Sequence, residues 1–181
     1  MIFPEKQVLL KDGRTAILRG PTIDDAAVLL EYLALTSGET PFLIRYPEEC
    51  NATLEQEIAF LNRSIDSATD MMILCIVEGK LAGNCALARH GGIKTQHRAD
   101  VAIALKKEFW GLGIGTIMFE EMNACAKDLG ISQLELEVID GNQRAMGLYR
   151  KMGFEVVATR PDAIRLKDGT MLAEHIMIKK L

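Results

Sequence analysis

Apolar residues occur along this chain in short runs that end at turn residues, a pattern that predicts β-hairpins. Three turns place a glycine beside charged residues, at Lys11–Arg14, Glu78–Lys80 and Lys167–Gly169, and such turns between β-prone runs indicate hairpins. The strands predicted on either side of these turns are 8–10 with 15–18, 71–77 with 81–89, and 163–166 with 171–178. Further strands are predicted at 99–105, 133–139 and 154–159.

Apolar residues at helical spacing follow Thr22 and Thr53, and each threonine begins a pattern typical of a helix N-terminus. The first of these helices is predicted to end at Ser37-Gly38. A third helix is predicted from residue 114 to the glycine at 130, and a short fourth helix follows Asn142. This order of elements predicts an α+β fold, with a mixed, mainly antiparallel sheet and helices on both faces.

The composition fits one globular domain over residues 1–181. Of the 181 residues 49% are hydrophobic, which is enough for one sizeable core. The chain is too short for two domains of ordinary size. The net charge is −4, and the sequence contains no run of Lys or Arg. A nucleic-acid partner would require a basic surface, so none is expected.

The four cysteines indicate a reducing cellular compartment and do not indicate a metal site. Cys50, Cys75, Cys85 and Cys125 show no metal-ligand spacing, so no metal site is expected. Three of them lie in apolar segments, which predicts buried free thiols and a reducing environment. The N-terminus has no charged segment followed by an apolar run, and no apolar stretch approaches the about 20 residues of a membrane helix. We expect a soluble cytoplasmic protein with no membrane partner.

Residues 110–116, called here the glycine turn, stand between the strand predicted at 99–105 and the third helix. Glycine has no Cβ, so the backbone can turn sharply and an anion can approach its amides. The helix N-terminus adds unpaired N–H groups and a partial positive charge. The pattern predicts a diphosphate site formed by Trp110, Gly111, Leu112, Gly113, Ile114, Gly115 and Thr116.

Three other interpretations of the glycine turn are open. A dinucleotide site requires G-x-G-x-x-G, but Thr116 stands at the third glycine position, and the upstream strands predict hairpins rather than βαβ units. A P-loop requires a lysine after its last glycine, and none follows Gly115. The third interpretation is a tight strand-to-helix connection that binds nothing.

A second motif, N-Q-R-A-M-G-L-Y-R-K-M-G-F, runs from Asn142 to Phe154. Together with W-G-L-G-I-G it resembles the GNAT superfamily of N-acetyltransferases, whose first motif is [R/Q]-x-x-G-x-[G/A] and whose second is N-x-x-A-x-x-L-Y-x-x-x-G-F. The second motif matches at every named position. The first matches at Gly113 and Gly115, but Trp110 stands where the family has Arg or Gln.

The resemblance implies acetyl-CoA as the co-substrate and a fold in which the central strand splays away from the strand at 133–139. The pantetheine arm would enter that gap and pair, as an added strand would, with the backbone of Ile103, Ala104 and Leu105. Asn142 and Ala145 would also contact the cofactor. A role of Asn142 as the N-cap of the short helix is an alternative that is compatible with this one.

Tyr149 is the predicted general acid by the same resemblance. Attack of an amine on an acetyl thioester expels a thiolate, whose pKa should lie near that of cysteine, about 8.5. A phenol of pKa about 10 beside the sulfur can donate a hydrogen bond or a proton as charge develops. The alternative is a core tyrosine packed under Phe154.

The attacking amine must be neutral, and this decides whether a base is needed. Deprotonation at pH 7 costs about 4.6 kcal/mol for an alkyl amine of pKa about 10.4, but only about 1 kcal/mol for an α-amine near 7.8. An alkyl-amine acceptor would therefore need a base or a water chain to one. Asp100 and His97, near the start of the central strand, are candidates, and Glu135 and Glu137 lie on the neighbouring strand.

In the GNAT superfamily the segment between the first two helices lines the acceptor site, which makes Glu39, Phe42 and Tyr46 candidate substrate contacts. An ordinary surface loop is the alternative. Family members commonly pair, so a homodimer is expected.

Three functions are considered. The first is direct transfer of acetyl, in a ternary complex, from acetyl-CoA to a primary amine of a small molecule or a protein N-terminus. The second is a non-catalytic acyl-CoA-binding sensor of the same fold, and the third is a nucleotide-binding domain. Tyr149 favours the enzyme, because a sensor would not need it.

Overall fold

A computed structural model of the chain describes residues 2–181. Over this range the backbone forms eight strands and four α-helices. The strands are β1 (Lys6–Leu9), β2 (Thr15–Arg19), β3 (Met71–Val77), β4 (Lys80–Arg89), β5 (Arg98–Leu105), β6 (Gln133–Ile139), β7 (Glu155–Arg165) and β8 (Met171–Lys180). The helices are α1 (Ala26–Glu39), α2 (Leu54–Asp66), α3 (Ile114–Asp128) and α4 (Gln143–Lys151).

The strands form one mixed sheet in the order β1-β2-β3-β4-β5-β6-β8-β7. β5 and β6 are parallel and pair Arg98–Asp100 with Gln133–Glu135. The pairs β1–β2, β2–β3, β3–β4, β6–β8 and β7–β8 are antiparallel. The mixed, mainly antiparallel α+β fold predicted from the hydrophobic pattern is confirmed.

Contacts within the chain define two compact units. The first consists of residues 2–88 and 102–118. Its β3 is buried along nearly its whole length, as expected for a strand covered on both faces. The core cluster that packs on β3 and β4 consists of Ala26, Leu29, Tyr32, Leu61, Met72, Leu74 and Leu81.

The second unit consists of residues 89–101 and 119–181. Three aromatic rings pack edge-on or tilted at its centre. The centroid of Phe119 lies 5.6 Å from that of Tyr149 and 5.7 Å from that of Phe154. Such geometry is favourable beyond the apolar area that it buries, so this cluster fixes α4 against α3 and against the residue before β7.

Thr53 caps α2 as predicted, whereas Thr22 precedes a 3-10 turn, Ile23–Asp25, and α1 begins only after that turn, at Ala26. Thr53 and Gln56 bond reciprocally, with N–H to Oε1 at 2.9 Å and N–H to Oγ1 at 3.3 Å. Before α1, the N–H of Thr22 donates to the carboxylate of Asp25 at 2.7 Å. Each box satisfies N–H groups that have no partner in the helix.

Several predicted boundaries are wrong. β1 covers Lys6–Leu9 rather than 8–10, and α1 does not end at Ser37-Gly38 but continues to Glu39, whose carboxylate accepts the N–H of Lys107 at 2.8 Å. The strands predicted at 154–159 and 163–166 are one strand, β7, with a register shift between Arg160 and Ile164. β8 is long enough to pair with both halves, so Pro161 interrupts the ladder without ending the strand.

All four thiols are free, with Cys75 and Cys85 buried and Cys50 and Cys125 half-buried. Burial raises the pKa of Cys75 to about 12, which makes it inert as a nucleophile. None of the helices in residues 2–181 combines the length and the apolarity that crossing a bilayer would require.

At Gly83 on β4 the neighbouring residues leave no space for a side chain. A Cβ there would lie 2.2 Å from Cδ2 of Leu105 and 2.6 Å from the carbonyl oxygen of Ala104. The side chain can move, but the carbonyl moves only with its strand. We therefore expect Gly83→Ala to lower the free energy of unfolding by about 1–3 kcal/mol in urea titrations.

The matched control for this variant is Gly91→Ala. A Cβ at Gly91 would meet no atom within 4 Å, and the expected change is below about 0.5 kcal/mol. Equal losses in the two variants would contradict the steric argument.

Candidate functional site

The glycine turn connects β5 to α3 through two residues in the left-handed region. Gly111 has φ 83° and Gly113 φ 90°, values that residues with a Cβ rarely adopt. α3 begins at the next residue, Ile114, so its first N–H groups have no carbonyl of a preceding turn to bond. The turn therefore presents amides and the positive end of a helix dipole, which fits a phosphate group.

Lys11 lies across the glycine turn, although no sequence signal identified it. Its N–H donates to the carbonyl of Leu112 at 3.1 Å. A Cβ on Gly113 would lie 3.3 Å from Cγ and 3.4 Å from Cε of Lys11. No acceptor within residues 2–181 bonds the ammonium group of Lys11. The turn thus has an available cation beside it, supplied by the β1–β2 hairpin.

The end of β5 carries the three residues predicted to pair with the arm, Ile103–Leu105, and all three are half-buried. The hydroxyl of Tyr32 donates to the carbonyl of Ala104 at 2.7 Å, and Nε1 of Trp110 donates to the carbonyl of Leu105 at 2.8 Å. Each carbonyl keeps a second lone pair. Trp110, at the position where the GNAT motif has Arg or Gln, therefore stabilises the strand end.

The segment between α1 and α2 is ordered by bonds to its own backbone. Besides the bond from Lys107 to Glu39, the N–H of Tyr46 donates to the carboxylate of Glu49 at 2.8 Å. Phe42 is half-buried. A cavity of 380 Å³ adjoins the segment, but Glu39, Phe42 and Tyr46 are not among its lining residues, so their contact with a substrate stays a prediction.

Asn142 caps α4, since its Oδ1 accepts the N–H of Ala145 at 3.2 Å. The N-cap interpretation is therefore confirmed. The contact of these two residues with a cofactor arm stays a prediction.

Tyr149 combines a packed ring with an unbonded hydroxyl. The residue is 8% exposed, and its ring lies against Phe119 and Phe154. No residue within 2–181 forms a hydrogen bond with the hydroxyl. Burial raises the pKa of Tyr149 to about 12. The phenol is therefore protonated at any pH at which the fold is expected to be stable, and its O–H can donate to a ligand.

Asp100 lies beside a histidine that the sequence did not indicate as functional. Its Oδ2 is 3.1 Å from Nε2 of His90, which follows β4. The side chain of Asp100 is 65% exposed and that of His90 is 24% exposed. His97, the other candidate near this strand, is exposed and bonds Ser132 through its backbone carbonyl. The structure thus brings His90, not His97, to Asp100.

Glu135 and Glu137 both bond arginine. Arg98 donates to both oxygens of Glu135, with Nη2 to Oε2 at 2.6 Å, and Nε2 of Gln133 donates a third bond. The Arg98 guanidinium holds the pKa of Glu135 below its ordinary value, against the opposing effect of burial. Glu137 lies 3.2 Å from Arg160. A carboxylate that is already bonded by an arginine and an amide, as Glu135 is, accepts a proton poorly.

His90, Asp100 and Glu135 each have a side-chain atom that could bind a metal ion, and these three atoms lie within 4.8 Å of one another. Arg98 already neutralises Glu135, so only one carboxylate and one imidazole would face a cation. Two ligands are fewer than transition-metal sites in proteins use, and we assign no metal here.

Residues 35–154 match the model of the acetyltransferase (GNAT) family. A segment of 51 residues, 28% of this chain, is 45% identical to thialysine N-epsilon-acetyltransferase from Bos taurus and spans 30% of that protein. The chain therefore aligns with less than a third of the length of this curated relative.

Solved structures match over nearly the whole chain. An acetyltransferase of the GNAT family from Streptococcus pneumoniae has a TM-score of 0.87 and 28% identity, over 92% of this chain and 99% of that one. The yncA protein from Salmonella typhimurium, solved with its cofactor acetyl-CoA, has a TM-score of 0.77 and 16% identity, over 91% of this chain and 92% of that one. At that identity the second similarity shows the fold alone.

The Arg98–Glu135 pair predicts a pH-dependent contribution to stability. A carboxyl whose pKa is lower in the folded state stabilises the fold above the unfolded value, about 4.3, and loses this effect as the pH falls. We expect Glu135→Gln to lower the free energy of unfolding at neutral pH by about 1–3 kcal/mol, because Glu135 is largely buried. The loss should shrink toward about pH 3.5, because Glu135 of the parent protein then gains a proton on unfolding, and this proton uptake favours the unfolded state.

Urea unfolding at the two pH values measures the effect. Glu137→Gln is the control, because its exposed pair with Arg160 should contribute at most about 1 kcal/mol. A loss from Glu135→Gln that is the same at both pH values would contradict an electrostatic origin.

Proposed function

The chain belongs to the acetyltransferase (GNAT) family, since the family model matches well over half of it, and from this membership we propose that it transfers an acetyl group from acetyl-CoA to a primary amine. The acceptor would be a small molecule or a protein N-terminus, attacking directly in a ternary complex. The observation that carries the proposal is the glycine turn, in which two left-handed glycines lead into the N-terminus of α3.

The residues at the glycine turn fit the diphosphate of the cofactor. Its oxygens would accept the N–H groups at the start of α3, and the ammonium of Lys11 would supply the side-chain cation that Trp110 cannot. Acetyl-CoA brings the acetyl thioester. Ile103–Leu105 would offer backbone groups to its amide-bearing arm, and Asn142 with Ala145 would contact the same arm.

Tyr149 would stabilise the leaving thiolate. As the amine nitrogen bonds the thioester carbonyl carbon, the C–S bond breaks and negative charge develops on sulfur. Full proton transfer from a phenol of pKa about 12 to a thiolate of pKa about 8.5 would be uphill by roughly 5 kcal/mol. Donation of a hydrogen bond has no such cost. The raised pKa therefore favours Tyr149 as a hydrogen-bond donor to the thiolate, and the proton released by the amine balances the one that the thiol finally gains.

Asp100 would remove the proton from an alkyl-ammonium acceptor. Its carboxylate is exposed, so it can exchange protons with water, and Nε2 of His90 lies 3.1 Å away as the next group in a path to solvent. Glu135 is less suited to this role, because Arg98 and Gln133 already bond it. A homodimer stays a prediction from the family resemblance, and a cytoplasmic location stays a prediction from the cysteines and the apolar pattern of the sequence.

Removal of the Tyr149 hydroxyl tests both the activity and its mechanism. We expect Tyr149→Phe to keep the fold and the affinity for acetyl-CoA, because the ring packing is retained, and to lower turnover by roughly 10²-fold or more. Release of free thiol from acetyl-CoA, measured over a panel of primary amines, is the assay.

Unchanged turnover at saturating acetyl-CoA would exclude Tyr149 as the donor. If the parent protein binds acetyl-CoA in calorimetric titrations but acetylates no amine in the panel, the transferase proposal fails and the sensor alternative is favoured.

Replacement of Lys11 tests the cofactor site by binding alone. We expect Lys11→Met to raise the Kd for acetyl-CoA roughly tenfold, since one charge-assisted contact to a phosphate is lost. Lys80→Met, which removes the same charge from another hairpin of the first unit, is the control and should leave the Kd unchanged. Titration with CoA and dephospho-CoA separates the two phosphate groups. A similar loss with both ligands assigns Lys11 to the diphosphate, whereas no loss with either removes it from the site.

A further inference from the structure

The cavity of 380 Å³ in the first unit has a lining suited to an organic cation. Leu30 and Leu33 of α1 supply apolar surface, and the charged groups of the lining are the carboxylates of Glu49 and Glu57 and the guanidinium of Arg45. The volume lies within the range of about 300–1,000 Å³ typical of small-ligand sites. None of the residues proposed above to bind acetyl-CoA or to take part in acetyl transfer lines this cavity.

Glu57 in the first turn of α2 is the unusual member of this lining. It is 7% exposed, yet no donor within residues 2–181 forms a hydrogen bond or an ion pair with its carboxylate. Buried carboxylates are rare unless they are paired. Arg45 acts on Glu57 only through space, and burial raises the pKa of Glu57 despite that attraction.

The two other buried carboxylates show how this protein ordinarily satisfies such groups. Asp25 is bonded at 2.7 Å by both terminal nitrogens of Arg19. Glu174 is bonded by Arg160. Among the buried acidic residues in 2–181, Glu57 is the one whose carboxylate lines a cavity and accepts no hydrogen bond from an arginine. The positive end of the α2 dipole accounts for an acid in the first turn, but Glu55 satisfies that preference while exposed to solvent.

We propose that the cavity binds a second, positively charged amino group of the acceptor, with Glu57 as its partner and Leu30 and Leu33 against the alkyl chain. The inference rests on the proposed acetyl transfer and specifies its substrate class. The acceptor would be an alkyl amine that carries another ammonium group several methylenes from the amine that is acetylated.

One helix links the cavity to the strand end proposed for the cofactor arm. Leu33 lines the cavity, and the adjacent Tyr32 bonds the carbonyl of Ala104. Leu33 and Ala104 also pack against the same core cluster. A helix with its side chains is about 10 Å wide, so a chain of several methylenes has the length needed to reach from one side of α1 to the other.

Acceptor pairs that differ by one charge test the proposal. The substrates are the diamines from 1,3-diaminopropane to 1,8-diaminooctane, each compared with the monoamine of the same length. For the best length we expect kcat/KM of the diamine to exceed that of the monoamine by roughly tenfold or more, as one charged hydrogen bond implies. In Glu57→Gln the ratio should fall to about 2, the statistical factor for two amino groups, with the monoamine rate retained.

Glu55→Gln is the matched control, since it removes an exposed carboxylate from the same helix turn and should keep the parent ratio. Equal rates for diamines and monoamines at every length, or a preference that survives Glu57→Gln, would overturn the proposal while leaving acetyl transfer intact.

A binding measurement without acetyl-CoA separates this inference from the proposed activity. The same diamine should raise the thermal midpoint of the parent protein and of Glu55→Gln, but not that of Glu57→Gln. If this pattern holds while no amine is acetylated, the cation site stands and the transferase proposal fails. If no diamine shifts the midpoint of the parent protein, the cation site is refuted.

Discussion

The hydrogen bonds of one buried phenol hold the first unit in the arrangement on which its candidate sites depend. Tyr32 is in the core cluster, and its hydroxyl donates to the carbonyl of Ala104 while the N–H of Asn84 donates to it at 3.3 Å. Burial raises the pKa of Tyr32, so the donor persists at any pH at which the protein is folded. The bond fixes α1 to the end of β5, and β5 leads directly into the glycine turn. The cavity beside Leu33 is fixed by the same helix.

Local signals in the sequence predicted the elements well where local chemistry decides them. β3 and β6 have the predicted bounds, and the Thr53–Gln56 box starts α2 as its sequence pattern predicts. Local signals failed where a distant contact overrides them. α1 continues past Gly38 to Glu39, whose carboxylate accepts the N–H of the distant Lys107.

The residues of the candidate site also fall into two groups, those that the sequence indicates and those that only the tertiary structure indicates. Asn142 and Tyr149 are predicted from the resemblance of the motif that contains them to the family motif. Lys11, His90 and Glu57 are not predicted from the sequence, because each gains its significance from a tertiary neighbour or a cavity. A lysine in a hairpin turn, a histidine after a strand and an acid in the first turn of a helix are ordinary in sequence. Only the distance from Lys11 to Gly113, the contact of His90 with Asp100, or the lack of a hydrogen-bond donor at the buried carboxylate of Glu57 distinguishes them.

Lys11 contacts the glycine turn but lies outside the segment that matches the family model. The segment that matches the family model begins at residue 35, whereas the lysine that lies across the turn comes from the β1–β2 hairpin before it. Relatives with the same glycines could therefore differ in how strongly they hold a diphosphate, through a hairpin that the family motif does not include. The glycine turn would set where the phosphates lie, and the lysine of the hairpin would tune how long they stay.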